Sequence, residues 1–145
     1  NEKLRSRGIM TVESLEGHDL NKGDTLLIRT HGEPKSTFET AKEMGLNVID
    51  CTCPFVKDIH KIVESNFMDG YKIAIIGNPS HPEVKGIMGW CNNEAFIVNS
   101  QEELSEISAD KLCVVVQTTY SEEKFNKIIN NFVIAATSSR PWVDV

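Results

Sequence analysis

The sequence predicts a parallel α/β fold built from α/β/α units. Three observations carry that expectation. Short apolar runs alternate with amphipathic runs along most of the chain, the strand–helix order of a parallel sheet. The run Tyr71–Gly77 is apolar almost without a break, as in a strand buried on both faces. Four polar segments each follow or close a predicted strand, where open parallel sheets place their ligands.

In chain order, residues 2–7 read as the tail of a helix that begins upstream, and Gly8–Glu13 as a short strand. Thr25–Thr30 is a second strand. A helix over Ser36–Met44 starts at a Ser36/Glu39 capping box and stops at Gly45. Asn47–Asp50 is a strand. Pro54–Met68 is the clearest helix, with Phe55, Val56, Ile59, Ile62, Val63 and Phe67 on one stripe and Asp69-Gly70 as its end. Beyond the strand Tyr71–Gly77, His81–Trp90 reads as a short helix and Ala95–Val98 as a strand. Ser100 and Glu103 cap the next helix, Leu112–Thr119 is a strand, and Ser121–Asn131 a helix. A division falls near Cys53, giving residues 1–53 and 54–131, with 132–145 an irregular tail.

Composition narrows the function. A net charge of −6 argues against extended nucleic-acid binding, so an anionic ligand needs local donors. No apolar run approaches a membrane span, and no export signal stands out. The four cysteines, Cys51, Cys53, Cys91 and Cys113, do not form a secreted disulfide framework, and a reducing cytoplasm is the expected setting. Cys113 lies in a buried-strand pattern and reads as core.

The polar segments are His31-Gly32, Cys51-Thr52-Cys53-Pro54, Ser80-His81-Pro82-Glu83 and Gln117-Thr118-Thr119. In a parallel sheet all four share one edge. Pro54 fits the first helical position, placing Cys53 at a helix N-terminus, where the dipole favours a thiolate. Cys53 is then either a metal ligand or nucleophile, or a buried thiol at a cap. Cys51-x-Cys53 is too tight for a closed zinc site. Gly32 lets backbone approach a ligand, and the His31 imidazole can donate to an anion; a plain loop histidine is the alternative. His81 stands where backbone N–H groups suit phosphate. Glu83 completes a capping box with Ser80, or serves as a proton donor if desolvated. Gln117 and Thr118 offer an amide and a hydroxyl at a strand end. A nucleotide-binding reading lacks both the Gly-x-Gly-x-x-Gly fingerprint and the Walker loop.

Four stretches together resemble the 4-hydroxy-3-methylbut-2-enyl diphosphate reductase (LytB/IspH) family. They are Arg29-Thr30-His31-Gly32, Asp50-Cys51-Thr52-Cys53-Pro54-Phe55-Val56, His81-Pro82-Glu83-Val84-Lys85-Gly86-Ile87-Met88-Gly89 and Gln117-Thr118-Thr119-Tyr120-Ser121. The likeness covers about residues 4–131, as an internal piece. It implies part of a three-domain pseudo-symmetric trefoil around a 4Fe-4S cluster. The implied reaction is reductive dehydroxylation of an allylic diphosphate to isopentenyl and dimethylallyl diphosphates, with ferredoxin or flavodoxin as electron donor. By resemblance, Cys53 is one of three cluster thiolates, His31 and His81 bind the diphosphate, Glu83 delivers a proton, Thr118 helps relay it, and Gln117 lies beside it in the substrate site. The family's other two cluster cysteines have no match here. The piece is therefore expected to be inactive alone, and an isolated diphosphate-binding module is the alternative function.

Overall fold

A computed structural model describes residues 2–136. After a one-turn helix α1 (Glu2–Arg5), strands and helices alternate: β1 (Thr25–Ile28), α2 (Lys35–Glu43), β2 (Asn47–Asp50), α3 (Pro54–Met68), β3 (Lys72–Ile76), α4 (Pro82–Met88), β4 (Phe96–Val98), α5 (Gln101–Ser105), β5 (Leu112–Val116) and α6 (Glu122–Ala136). They form two parallel sheets, β1-β2 and β4-β3-β5. The α/β expectation is met.

The larger sheet is the middle of an α/β/α sandwich. Side chains alternate across β3, so Ile73 and Ile75 face one layer while Ala74 and Ile76 face the other. Val63 of α3 and Val84 and Ile87 of α4 pack on the first face. Leu104 of α5 and Ile128 of α6 pack on the second. Every residue from Ile73 to Gly77 is buried, which is why the run carries no polar alternation. The smaller sheet is covered less fully, leaving Leu27 and Ile49 about half exposed (51 % and 52 %).

The two glycine stops act through the same geometry. After α2, Leu46 N–H donates to Ala41 O and Gly45 N–H to Lys42 O, with Gly45 at φ +70°. After α3, Tyr71 N–H donates to Asn66 O and Gly70 N–H to Phe67 O, with Gly70 at φ +81°. Both are Schellman ends that use the left-handed backbone glycine adopts freely.

Several expectations need correction. Gly8–Glu13 is not a strand: it is largely exposed and no neighbouring strand among the described residues offers it a ladder. The N-cap of α2 is Pro34, with no side-chain cap, so the Ser36/Glu39 box does not form. Phe55 is 74 % exposed at the start of α3, while the rest of the stripe, Val56, Ile59, Ile62, Val63 and Phe67, is buried or packed on the core, with His60 buried among them. Around α5, Ser100 accepts from Glu103 N–H as expected, but the Glu103 carboxylate takes the N–H of Asn99. Helix α6 continues through residues 132–136, replacing the irregular tail there; residues 137–145 lie outside the described part.

Candidate active site

Because both sheets are parallel, every strand delivers its polar segment at its carboxyl end. Ile28 and Asp50 end β1 and β2 in register, and Ile76 and Val116 end β3 and β5 in register. His31, Cys53, His81 and Thr118 follow within a few residues.

Direct contacts link these segments. The Cys53 N–H donates to Thr30 O at 2.9 Å, tying the cysteine loop to the residue before His31. The His31 ring meets the His81 ring edge to face, centroids 5.4 Å apart. His81 caps α4: its Nδ1 accepts the Glu83 N–H at 3.2 Å. That bond leaves the ring proton on Nε2, an available donor. Glu83, 1 % exposed, turns its carboxylate toward β5. Oε1 accepts the Thr118 N–H at 2.6 Å and Oε2 the Thr118 hydroxyl at 2.8 Å. The Ser80/Glu83 capping box therefore does not form. A histidine caps the helix, and the carboxylate is released to a partner 35 residues away in sequence.

Gln117 is buried and internally bonded. Its Oε1 accepts the Asn78 N–H at 3.1 Å, and its Nε2 donates to Thr119 Oγ1 at 2.7 Å. It braces the loops after β3 and β5 against each other.

Cys53 is the N-cap of α3, with Pro54 at the first helical position. Its loop is fastened by Asp50, whose Oδ1 accepts from the Thr52 N–H (2.9 Å) and the Thr52 hydroxyl (2.5 Å). Lys57 Nζ lies 2.7 Å from Asp50 Oδ2. Partial burial works to raise the Asp50 pKa, but the hydrogen bonds from Lys57 and Thr52 and the Lys57 charge hold it below the usual carboxylate range. Cys51 is exposed and Cys53 half-buried, whereas Cys91 and Cys113 are buried, with burial raising both their thiol pKa values. Among the described residues no group of three or more His, Cys, Asp or Glu side chains is arranged to hold a metal. Of the four thiols, two are locked in the core, and Cys51 and Cys53 stand at the strand ends.

The sequence reading passed over His60. It lies in the middle of α3, 4 % exposed, stacked on Trp90 with centroids 4.9 Å apart and planes 19° apart. Burial lowers its pKa to about 4, against the opposing pull of Asp50, so the ring is neutral at pH 7. The unfolded chain takes up the proton near pH 6.5, before the folded chain does. Stability is therefore present above pH 6.5 and is lost as pH falls toward 4. Urea melts are expected to show a loss of up to about 3 kcal/mol across that window from this group. His60→Gln, which cannot titrate, should flatten it, and an unchanged slope in that variant would refute the assignment.

Known proteins resemble this chain in sequence and in backbone course. The family model described as "LytB protein" matches residues 1–140. A 4-hydroxy-3-methylbut-2-enyl diphosphate reductase of Clostridium perfringens (strain SM101 / Type A) is 45 % identical over 130 residues, covering 90 % of this chain and 46 % of that protein. A protein of the same name from Caldanaerobacter subterraneus subsp. tengcongensis is 43 % identical over 127 residues, covering 87 % and 44 %. The solved structure of (E)-4-hydroxy-3-methyl-but-2-enyl diphosphate reductase, described as the terminal enzyme of the non-mevalonate pathway, superposes with a TM-score of 0.76 at 33 % identity, covering 92 % of this chain and 48 % of that one. The corresponding reductase structure from Plasmodium falciparum gives 0.79 at 30 % identity, covering 91 % and 43 %. The chain thus spans about half the length of the relatives it matches. With matched sequence running through all four polar segments and a shared backbone course, this chain belongs to the LytB protein family.

Proposed function

We propose that this chain forms the diphosphate-binding and proton-donating part of a 4-hydroxy-3-methylbut-2-enyl diphosphate reductase. The reaction is reductive dehydroxylation: the allylic carbon–oxygen bond breaks, two electrons and two protons are taken up, and water leaves with formation of isopentenyl or dimethylallyl diphosphate. Ferredoxin or flavodoxin is the electron donor that the family resemblance implies.

The observation that carries this reading is the Glu83–Thr118 pair beside the His31–His81 pair. A buried carboxyl needs a reason to be held off the helix end, and proton delivery to a leaving hydroxyl supplies one. Two imidazoles in edge contact offer N–H donors to a neighbouring anion, and His81 has its outer nitrogen protonated by the cap geometry. Thr118, exposed at the surface and bonded to Glu83, is suited to pass a proton onward. Gln117 supports the site through its loop contacts. A 4Fe-4S cluster would supply the electrons, with Cys53 as one of its thiolates. The described residues do not furnish the remaining ligands.

Isothermal titration with inorganic pyrophosphate tests the binding half. The 145-residue chain is expected to bind, with His31→Ala and His81→Ala each weakening affinity by roughly 10-fold, as expected for loss of a hydrogen bond to a charged group. After anaerobic iron and sulfide reconstitution the same chain is expected to stay colourless and inactive. Absence of pyrophosphate binding, or a stable brown cluster with turnover, would each overturn the division of labour proposed here.

A further inference from the structure

His60 has no part in the chemistry above, yet it lies beneath several of the segments that carry it. Its Nε2 is buried and has no hydrogen-bond partner among the described residues. Beside it runs the backbone of Gly32, the residue after His31. A Cβ at Gly32 would lie 2.6 Å from His60 Cε1, 3.1 Å from His60 Nε2 and 3.2 Å from the Thr52 methyl carbon. Gly32 is held at φ +77°, so glycine is demanded there twice, by conformation and by the imidazole. Thr52 precedes Cys53. Trp90, stacked on the imidazole, follows the helix that His81 caps, and its Nε1–H donates to Glu33 O at 3.1 Å.

One flat ring carried by α3 therefore lies against Gly32, beside His31, and stacks on Trp90, which follows the helix that His81 caps. Apolar packing alone is a poor account of it. An aliphatic side chain of α3 would bury without stranding a polar nitrogen, a cost of about 1–3 kcal/mol. A thin ring stacked on Trp90 fits close to a glycine backbone in a way a branched side chain does not. We propose that His60 is a positioning residue of this site, whose ring sets the placement of the His31 loop relative to α3 and to α4. The inference deepens the function proposed above and rests on it for its relevance to the diphosphate.

The first test needs no ligand. In the 145-residue chain, His60→Ala is expected to shift the imidazole nitrogen and carbon-bound proton resonances of His31 and His81 and to leave those of exposed His18 in place. His60→Gln, with a flat amide of similar reach, should return them most of the way. In the second test His60→Ala should weaken pyrophosphate binding by about 10-fold, and His60→Gln by much less. Unmoved His31 resonances in folded His60→Ala overturn the proposal. Should His60→Ala fail to fold, Trp90→Phe removes the bond to Glu33 O and part of the stack. It should produce a smaller displacement of the same His31 signals, and unmoved signals there overturn the proposal equally. If the unaltered chain does not bind pyrophosphate, the functional reading falls, while the resonance test still decides whether His60 positions His31.

Discussion

On the proposed function, Glu83→Gln in the full-length protein is expected to lower kcat by about 10²- to 10⁴-fold, the usual contribution of a positioned general acid. The substitution is nearly isosteric. The glutamine carbonyl can still accept the Thr118 N–H that now bonds Oε1, and its amide can donate to the Thr118 hydroxyl, which reverses its role. Helix α4 keeps its cap, because His81 and not Glu83 provides it. The fold and the iron content should therefore be preserved, with KM little changed, while the transferable proton is gone. Steady-state turnover alongside visible absorption of the cluster measures both halves. Normal turnover with full cluster content would remove Glu83 from the chemistry. Thr118→Val is a different perturbation: it leaves Oε2 of a buried carboxylate without its hydroxyl partner, so it should cost stability as well as rate.

Gly89→Ala should destabilise the chain by about 2–3 kcal/mol, the upper part of the range for overpacking a tight contact. For a domain of this size that corresponds to a fall in Tm of roughly 10 °C. Gly89 has an ordinary φ of −68°, so alanine meets no backbone obstacle. The obstacle is the neighbour. The added carbon would collide with Pro34 Cβ and lie 2.7 Å from Pro34 Cα, and neither a proline ring nor backbone swings aside easily. Relief requires α4 and the β1–α2 loop to separate, which would also widen the 5.4 Å spacing of His31 and His81. Pyrophosphate affinity should fall with stability. Gly86→Ala is the control, since its new carbon would find nothing nearer than 3.5 Å, at Gly32. Within a helix that exchange should change stability by no more than about 1 kcal/mol, and in the favourable direction. Equal effects of the two substitutions would mean that the Gly89–Pro34 contact is looser than described.

What could be read from the sequence depended on how local its cause was. The bounds of β2 and α3 were legible because an apolar run, a proline at the first helical position and a closing Asp-Gly pair all lie within the element. The placing of each polar segment at a strand's carboxyl end was legible too, since parallel order follows from alternation; the division of those strands between two sheets was not. Glu83 was misread in its local role. Ser80 three residues earlier is a genuine capping signal, but the partner that wins is Thr118 on another strand, and nothing near Glu83 announces it. Gly8–Glu13 looked like a strand for the converse reason: its composition suits one, and a ladder needs a second strand. His60 was hidden by its neighbours. It follows Val56 by four residues and precedes Val63 by three, which puts it on the buried stripe of α3, a signal that was available. Its closeness to Gly32 came only from the folded chain.

Parallel strands have one further effect on this molecule. With the four polar segments issuing from one end of each sheet, the opposite end is left with connections such as Leu46 after α2, Tyr71 after α3 and the residues around Asp110 before β5. Those joints are where the chain can drift over generations, accept a tag or a fluorophore, or lengthen by a residue or two, at the least hazard to what happens across the molecule.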